Sequence, residues 1–467
     1  PSSAGALASQ ARAYENLREF FTSATMAALI DLPFVFVFAF IVFLLGGPVA
    51  LPMAVGASLV IFVALVLQIP LARSVEKSYR ASTQRHALFV ESINALETVK
   101  ASRAESTLQS RMEECVSISA KAEGDSRWYS QMALNMTAFI QHGVTIFTLI
   151  TAVYLIMGGA LTMGAMVASV ILVGRGMAPL AMAASLLTRL QQSRRALRGL
   201  NEIMNLPRER EDGSPRTTVT RFDARVDVEN LSFSYPESPE LRTLNDLNFS
   251  IQPGERVGVL GRVGSGKSTL LRMMIELYHP TEGRIDVSGI DLRQLDPSTL
   301  RRNIAYMSQD PTLLYGTLRQ NLNVACPWID EDQLWKALER AGLTNFVRSH
   351  PKGLDMPIGE VGRSLSGGQR QAICLARCLV QEPQLLIFDE PASSMDSESE
   401  KALIRSIKRY LDQDRSRSLI LATHRSSMLK LVDRVIVLDQ GKISVDGRKE
   451  SVVKNSTPQQ TGLKKAA

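Results

Sequence analysis

The chain has few cysteines, few aromatics and two long stretches with almost no charge. Four cysteines in 467 residues (Cys115, Cys326, Cys374 and Cys378) cannot form the dense disulfide framework of a small secreted scaffold. Cys374 and Cys378 stand four apart and share a helix face. Two ligands do not make a zinc site, so they read as small core side chains. Aromatics make up 6% of the chain, and basic residues are not interleaved with them, which argues against a nucleic-acid partner. Leu32–Ala72 contains no Asp, Glu, Lys, Arg or His. Trp128–Gly174 lacks the first four, and His142 is its single imidazole. The remainder is densely charged. The overall 45% hydrophobic content therefore averages a membrane half and a soluble half.

Each apolar block is about twice the roughly 20 residues that cross a bilayer, and each is broken near its middle, at Gly46-Gly47-Pro48 and Gly158-Gly159. Each reads as a helical hairpin, with spans at about 27–45, 48–69, 132–157 and 164–187. The intervening segment, Arg73–Arg127, carries nine Lys or Arg, whereas the two breaks carry none. The net charge of +7 is thus distributed positive-inside, which places 73–127 and the chain after the fourth span in the cytoplasm. Apolar residues at Leu88, Ile93, Leu96, Val99 and Leu108 recur at near-helical spacing, so 73–127 is expected to be a helical arm folded back once, each half roughly 40 Å long. Three polar groups fall in or near spans. Arg175 is costly in lipid and faces either a cargo path or a structural partner. His142 reads as bundle packing, and Asp31 as interfacial.

The run "LPREREDGSPRTTVTRFDAR", 206–225, is a linker by its proline, glycine and charge content. From Val226 to about residue 450, strand-like runs alternate with helical stretches, the pattern of an α/β domain. Residues 451–467 are polar and are expected to be a mobile tail. Within the α/β part, "VGVLGRVGSGKSTLLRMM" gives strand, glycine-rich turn and helix in order. Gly261, Gly266, Lys267 and Ser268 fit G-x-x-x-x-G-K-[ST], whose backbone amides wrap phosphates while the lysine reaches the β- and γ-phosphates and the hydroxyl binds Mg²⁺. "QLLIFDE" is a buried strand ending in two carboxylates; Asp389 is suited to hold Mg²⁺ and Glu390 to act as general base on water. A second anion site lies at "LSGGQRQ", where Ser366, Gly367 and Gly368 open a helix.

These motifs closely resemble the ATP-binding cassette proteins, of which "LSGGQ" (Leu365–Gln369) is the signature sequence. The resemblance implies ATP and Mg²⁺ as ligands and an α-helical transmembrane domain of exporter type ahead of an α/β P-loop domain. It assigns Tyr235 in "FSYP" to adenine stacking, and Gly261, Gly264, Ser265, Gly266, Lys267, Ser268 and Thr269 to the phosphates. Gln309 in "YMSQD" would contact Mg²⁺ and the water; Asp396 in "SSMD" belongs to the loop after the acidic strand, and His424 in "LATHR" would touch the γ-phosphate. Two copies are implied, head to tail, with Ser366, Gly367, Gly368 and Gln369 of each facing the ATP held by the other. Glu91–Glu105 matches the coupling region that docks on a nucleotide domain.

"SGIDLRQLDPSTLRRNIAYMSQDPTLLYGTLRQNL" and "HPKGLDMPIGEVGRSLSGGQRQA" are similar to bacterial type I secretion permease/ATPases, nearest the branch exporting RTX-type adhesins. That implies an inner-membrane homodimer moving a protein cargo with a periplasmic adaptor and an outer-membrane channel. An exporter of lipid, peptide or drug with the same engine is the alternative. Ala392 stands where the family often has Thr, and "SSMD" replaces the commoner "SALD"; neither touches phosphate. Four spans where the family has six, after a start at Pro1, imply a fragment lacking the first two.

Overall fold

A computed structural model of the chain describes residues 25–206 and 222–455, together with Arg18, Phe21, Glu209 and Thr217. Most of the expected linker and residues 456–467 of the expected tail lie outside the described residues. The chain divides into two units, Pro1–Glu209 and Arg210–Ala467.

The described residues of the first unit form helices joined by short turns. Helix α1 (Thr25–Gly46) is followed by a single 3-10 turn, Gly47–Val49, and then by α2 (Ala50–Asn94). Gly47 takes φ +47° there, a left-handed conformation that glycine adopts without strain. A short α3 (Leu96–Ala101) leads to α4 (Glu105–Met157), and Thr162 caps α5 (Met163–Met204) by accepting from the Ala165 amide. Among the described residues three stretches are long and apolar enough to cross a membrane: Ile30–Asn94, Glu105–Met157 and Met163–Leu180. The first is interrupted by the 3-10 turn at Gly47–Val49, near the break expected between the first two spans. Large apolar side chains such as Phe36 and Phe139 are 76% and 75% exposed along these spans, the signature of a surface that lipid rather than water covers. A narrow core of Val42, Met53, Ala152, Val173 and Met177 holds the spans together.

The helices do not stop where the apolar residues stop. Both α2 and α4 run on through the charged segment as continuous rods, reaching roughly 33 Å and 40 Å past residues 72 and 132. Local pairs such as Arg80–Glu76 and Gln109–Glu113 support them there. Arg85 lies 3.7 Å from Glu123 across the two rods. Arg195 of α5 lies 2.9 Å from Glu76 of α2 and stacks over the Tyr79 ring. The tip helix α3 buries none of its residues.

The second unit begins with an antiparallel sheet ordered β2-β1-β4-β5, from β1 (Val226–Ser234), β2 (Arg242–Ile251), β4 (Glu282–Val287) and β5 (Ile290–Asp291). A second sheet, β12-β11-β3-β10-β9-β6, is parallel except at its β12 edge. Its strands are β3 (Arg256–Gly261), β6 (Ile304–Met307), β9 (Leu385–Asp389), β10 (Ser418–Ala422), β11 (Arg434–Asp439) and β12 (Lys442–Arg448). A two-residue ribbon pairs β7 (Gly316–Thr317) with β8 (Pro357–Ile358). Every residue of β9 and β10 is buried, which is why both read as unbroken apolar runs rather than alternating ones. The connecting helices are α6 (Lys267–Met274), α7 (Pro297–Asn303), α8 (Leu318–Asn323), α9 (Glu331–Arg340), α10 (Thr344–Ser349), α11 (Gly367–Leu379) and α12 (Ser397–Gln413). A last helix, α13 (Lys449–Asn455), carries regular structure five residues into the stretch expected to be a tail. Val452 is buried there against the core, which anchors the turn.

A Cβ on Gly56 of α2 would collide with Val144 Cγ2 of α4, whereas one on Gly143 meets nothing within 4 Å. Gly56→Ala is expected to destabilise the membrane unit by about 1–3 kcal/mol through overpacking, with Gly143→Ala neutral or stabilising. Thermal unfolding in detergent distinguishes the two.

Candidate active site at the carboxyl edge of the parallel sheet

Three parallel strands run in register: Val259 of β3 and Asp389 of β9 both pair with Ala422 of β10, and β3 continues two residues further to Gly261. Whatever follows each strand therefore meets at one edge. After β3 comes the phosphate loop, in which Gly261, Gly264 and Gly266 all have positive φ. A Cβ on Gly266 would come within 2.5 Å of Leu244 Cδ2, so the loop needs glycine here for space as well as for φ +98°. Gly266 caps α6 without a side-chain hydrogen bond, leaving first-turn amides directed toward an incoming anion. Lys267 is buried, and its Nζ donates to the Gly261 and Arg262 carbonyls at 2.8 and 3.0 Å, which holds the ammonium over the loop.

Asp389 at the end of β9 is 1% exposed, and neither carboxylate oxygen has a hydrogen-bond partner. The Ser268 hydroxyl lies close enough to favour the ionised form, but its geometry closes no bond. Burial dominates and pushes the carboxyl above its ordinary range. An orphaned buried carboxylate beside a hydroxyl and a phosphate loop suits a hard, oxygen-seeking divalent cation. Among the described residues no cluster of three or more His, Cys, Asp or Glu could hold a metal alone, so the remaining ligands would come from nucleotide and water. The Ser265 hydroxyl is likewise buried without a partner.

Glu390 sits in the left-handed region, φ +50°, with its amide donating to the Ala422 carbonyl at 2.9 Å. This sharp exit from β9 turns its side chain toward β10, where its Oε2 is 2.5 Å from His424 Nδ1. Glu390 is mostly buried and His424 mostly exposed, so the pair spans the boundary between core and solvent. Tyr235 bonds through its hydroxyl to Thr269 Oγ1 at 2.8 Å and packs edge-on against Phe233 and Tyr278. Gln309, two residues past β6, is exposed.

The signature segment is built differently. Ser366 and Gln369 form a reciprocal capping box at the start of α11, 3.2 and 3.0 Å, which fixes the helix entry. The near neighbours of Gly367 and Gly368 are Ser394, Met395 and Ser399, not the phosphate loop. The sequence expectation of two separate anion sites thus corresponds to two separate helix starts. Asp396 caps α12 by accepting from the Glu398 and Ser399 amides, and hydrogen bonding from Ser399 keeps its carboxyl below the usual range. Cys374 and Cys378 lie on α11, and burial pushes the Cys378 thiol up to about 12, far from a reactive thiolate.

Sequence reasoning overlooked Gln371, Ser393, Glu400 and Arg425, all of which border the site. Gln371 Nε2 donates to Ser393 Oγ at 3.0 Å, and Arg425 Nη1 donates to Glu400 Oε2 at 2.5 Å. The one available signal was a glutamate on the otherwise apolar face of the amphipathic α12.

These features define a P-loop ATPase domain behind a helical membrane unit. Residues 244–393 match the family model described as ABC transporter, and residues 2–177 the model described as ABC transporter transmembrane region. The chain is a membrane protein belonging to the ABC transporters, and its second unit is their ATPase domain. It is 30% identical over 456 residues to the toxin RTX-I translocation ATP-binding protein of Actinobacillus pleuropneumoniae, covering 96% of this chain and 63% of that protein. It is 29% identical to the exotoxin translocation ATP-binding protein PaxB of Pasteurella aerogenes, covering 97% of this chain and 63% of that one. The leukotoxin translocation ATP-binding protein LktB of Mannheimia haemolytica is 29% identical with the same coverage. The chain therefore spans just under two thirds of the length of these curated relatives. Among solved structures, a bacterial Atm1-family ABC exporter with ATP bound shares the fold, with a TM-score of 0.88 at 24% identity over 98% of this chain and 79% of that one.

Asp389 gives a prediction with a definite sign. Its folded pKa is raised, so the ionised form costs stability once the pH passes the unfolded value of about 3.9. The cost grows as the pH rises from that unfolded value through the raised folded pKa. Asp389→Asn should raise the Tm of the nucleotide-free protein at pH 7 by about 2–4 °C for each kcal/mol relieved, and the gain should vanish as the pH falls below about 4. Differential scanning calorimetry at the two pH values tests this.

Proposed function

We propose that the chain powers export of a protein cargo across the bacterial inner membrane, as one half of a homodimer with its nucleotide domain in the cytoplasm. The observation that carries the reading is the separation of the two anion sites: Lys267, Asp389, Glu390 and His424 gather at one edge, while Ser366–Gln369 open a helix with other neighbours. A chain with one half-site of each kind becomes complete when a second copy supplies the other half. The names of the translocation proteins it resembles support a polypeptide cargo, and with it a periplasmic adaptor and an outer-membrane channel.

In this reading Tyr235 stacks on adenine. The amides from Gly264 to Thr269 bind the phosphates, and Lys267 exchanges its two loop carbonyls for phosphate oxygens. Ser268, Asp389 and Gln309 would hold Mg²⁺, which supplies charge neutralisation on the β- and γ-phosphates when bound. Glu390 accepts a proton from the attacking water as its oxygen bonds to the γ-phosphorus, and the bond to the β–γ bridging oxygen breaks to leave ADP and phosphate. His424 steadies Glu390 from one side and faces the γ-phosphate from the other. The signature residues of the second copy hold the same γ-phosphate, so its loss removes the contacts that favour the closed pair.

Glu390→Gln should retain ATP binding and lose hydrolysis by about 10²–10⁴-fold, accumulating a closed dimer; near-normal turnover would refute its role as base. Lys267→Ala and Ser366→Arg should each be inactive alone. Co-expressed, they should regain ATPase activity, because the mixed dimer contains one intact composite site. No recovery in mixed dimers isolated by two affinity tags would contradict the shared-site reading.

A further inference from the structure

Beyond the phosphate-contacting groups, the buried charge of Glu400 has no part in the hydrolysis just described. Glu400, in the first turn of α12, is 7% exposed. A carboxylate buried this deeply persists only when it is paired and hydrogen-bonded. Its partner is Arg425, the residue after His424. Arg425 Nη1 donates to Glu400 Oε2 at 2.5 Å and to the Met395 carbonyl at 3.4 Å, and Nη2 donates to the Ser393 carbonyl at 3.1 Å. The Arg425 amide donates to Thr423 Oγ1 at 3.1 Å, and the second oxygen of Glu400 accepts from the Ser427 hydroxyl.

The carbonyls that Arg425 grips belong to the turn that carries Glu390. The Ser393 amide donates to the Glu390 carbonyl at 3.1 Å, and the Met395 amide to the Ala392 carbonyl at 3.1 Å. Ser393 also receives the Gln371 amide group from α11, and its hydroxyl lies 3.5 Å from the Gln309 carbonyl. One guanidinium thus fastens the turn behind Glu390 to the segment that presents His424. The two side chains whose 2.5 Å contact would activate water are held from the rear by a single fork.

We propose that Arg425 is a positioning residue for hydrolysis, fixing Glu390 and His424 against each other through the Ser393–Met395 turn while Glu400 neutralises it. This rests on the reading of Glu390 as general base. The role needs a planar fork with several fixed donors, which lysine does not reproduce. Displacing a catalytic group by about 1 Å costs on the order of a hundredfold in rate, whereas nucleotide binding is spread over many loop amides.

The test uses the full chain in detergent or nanodiscs, with ATP as the ligand. Arg425→Gln should lower kcat by about tenfold to a hundredfold and change KM for ATP by less than about twofold, with Arg425→Lys intermediate. Arg425→Gln strands the Glu400 charge, so a fall in Tm alone would not separate positioning from folding. The double variant Arg425→Gln/Glu400→Gln removes the stranded charge; it should recover Tm but not kcat. In a His424→Ala background, Arg425→Gln should add little further loss, because the contact it maintains is already gone. Recovery of kcat together with Tm in the double variant, multiplicative losses with His424→Ala, or a matching rise in KM would each overturn the proposal. Glu390→Gln, measured alongside, keeps the two readings apart. If it stays active the base assignment fails, and if it is inactive while Arg425→Gln is normal only the positioning role fails.

Discussion

The constraint on which the site depends is the parallel register of β3, β10 and β9. Pairing Ala422 with both Val259 and Asp389 brings the carboxyl ends of three strands to one edge of the sheet, where the residues just past them meet. The sheet can set this register only because β9 and β10 are apolar on both faces and sealed by helices. Asp389 is the exception: a carboxylate buried with neither oxygen satisfied. Folding gains nothing from it, and burial opposes its ionised form. Under the proposed function it would meet a positive charge that arrives with the nucleotide at the loop around Lys267.

The same edge is strained where it is chemically useful. Glu390 occupies a left-handed backbone conformation that costs of order 1 kcal/mol for a residue with a side chain. That cost is offset by the Ala422 carbonyl in front and the Ser393–Met395 turn behind. The signature helix carries no such strain. Its capping box satisfies two amides within the first turn, so it presents a finished, rigid helix start to its surroundings. In the proposed dimer the incomplete edge of one copy would meet this rigid helix start of the other.

Much of this was legible from residue order alone. The charge-free runs fall in stretches that are helical and, among the described residues, long and apolar enough to cross a membrane. G-x-x-x-x-G-K-S and the acidic pair after LLIF pointed to two strand ends that the sheet register brings to one edge. What the sequence hid follows from physics that composition does not encode. The apolar pattern marks where lipid ends, but the backbone of α2 and α4 is equally content in water when i,i+4 pairs support it. The helices therefore pass the boundary without a break. Ser366 and Gln369 were expected to meet an anion, whereas their capping box depends on a reciprocal geometry that only the fold reveals. Arg425 and Glu400 stand 25 residues apart, and nothing local marks them as partners. Val452 shows the reverse case: a polar tail-like stretch whose first turn is retained because one apolar side chain finds the core.

The central claim is that Asp389 is kept unsatisfied for a divalent cation that arrives with nucleotide. Electron paramagnetic resonance with Mn²⁺ in place of Mg²⁺ tests it directly on the full chain. Mn²⁺ should bind in the presence of ATP and only weakly without it, and Asp389→Asn should weaken the ATP-dependent binding by at least about tenfold to a hundredfold. Tight Mn²⁺ binding in the absence of nucleotide, or binding unchanged by Asp389→Asn, would contradict it.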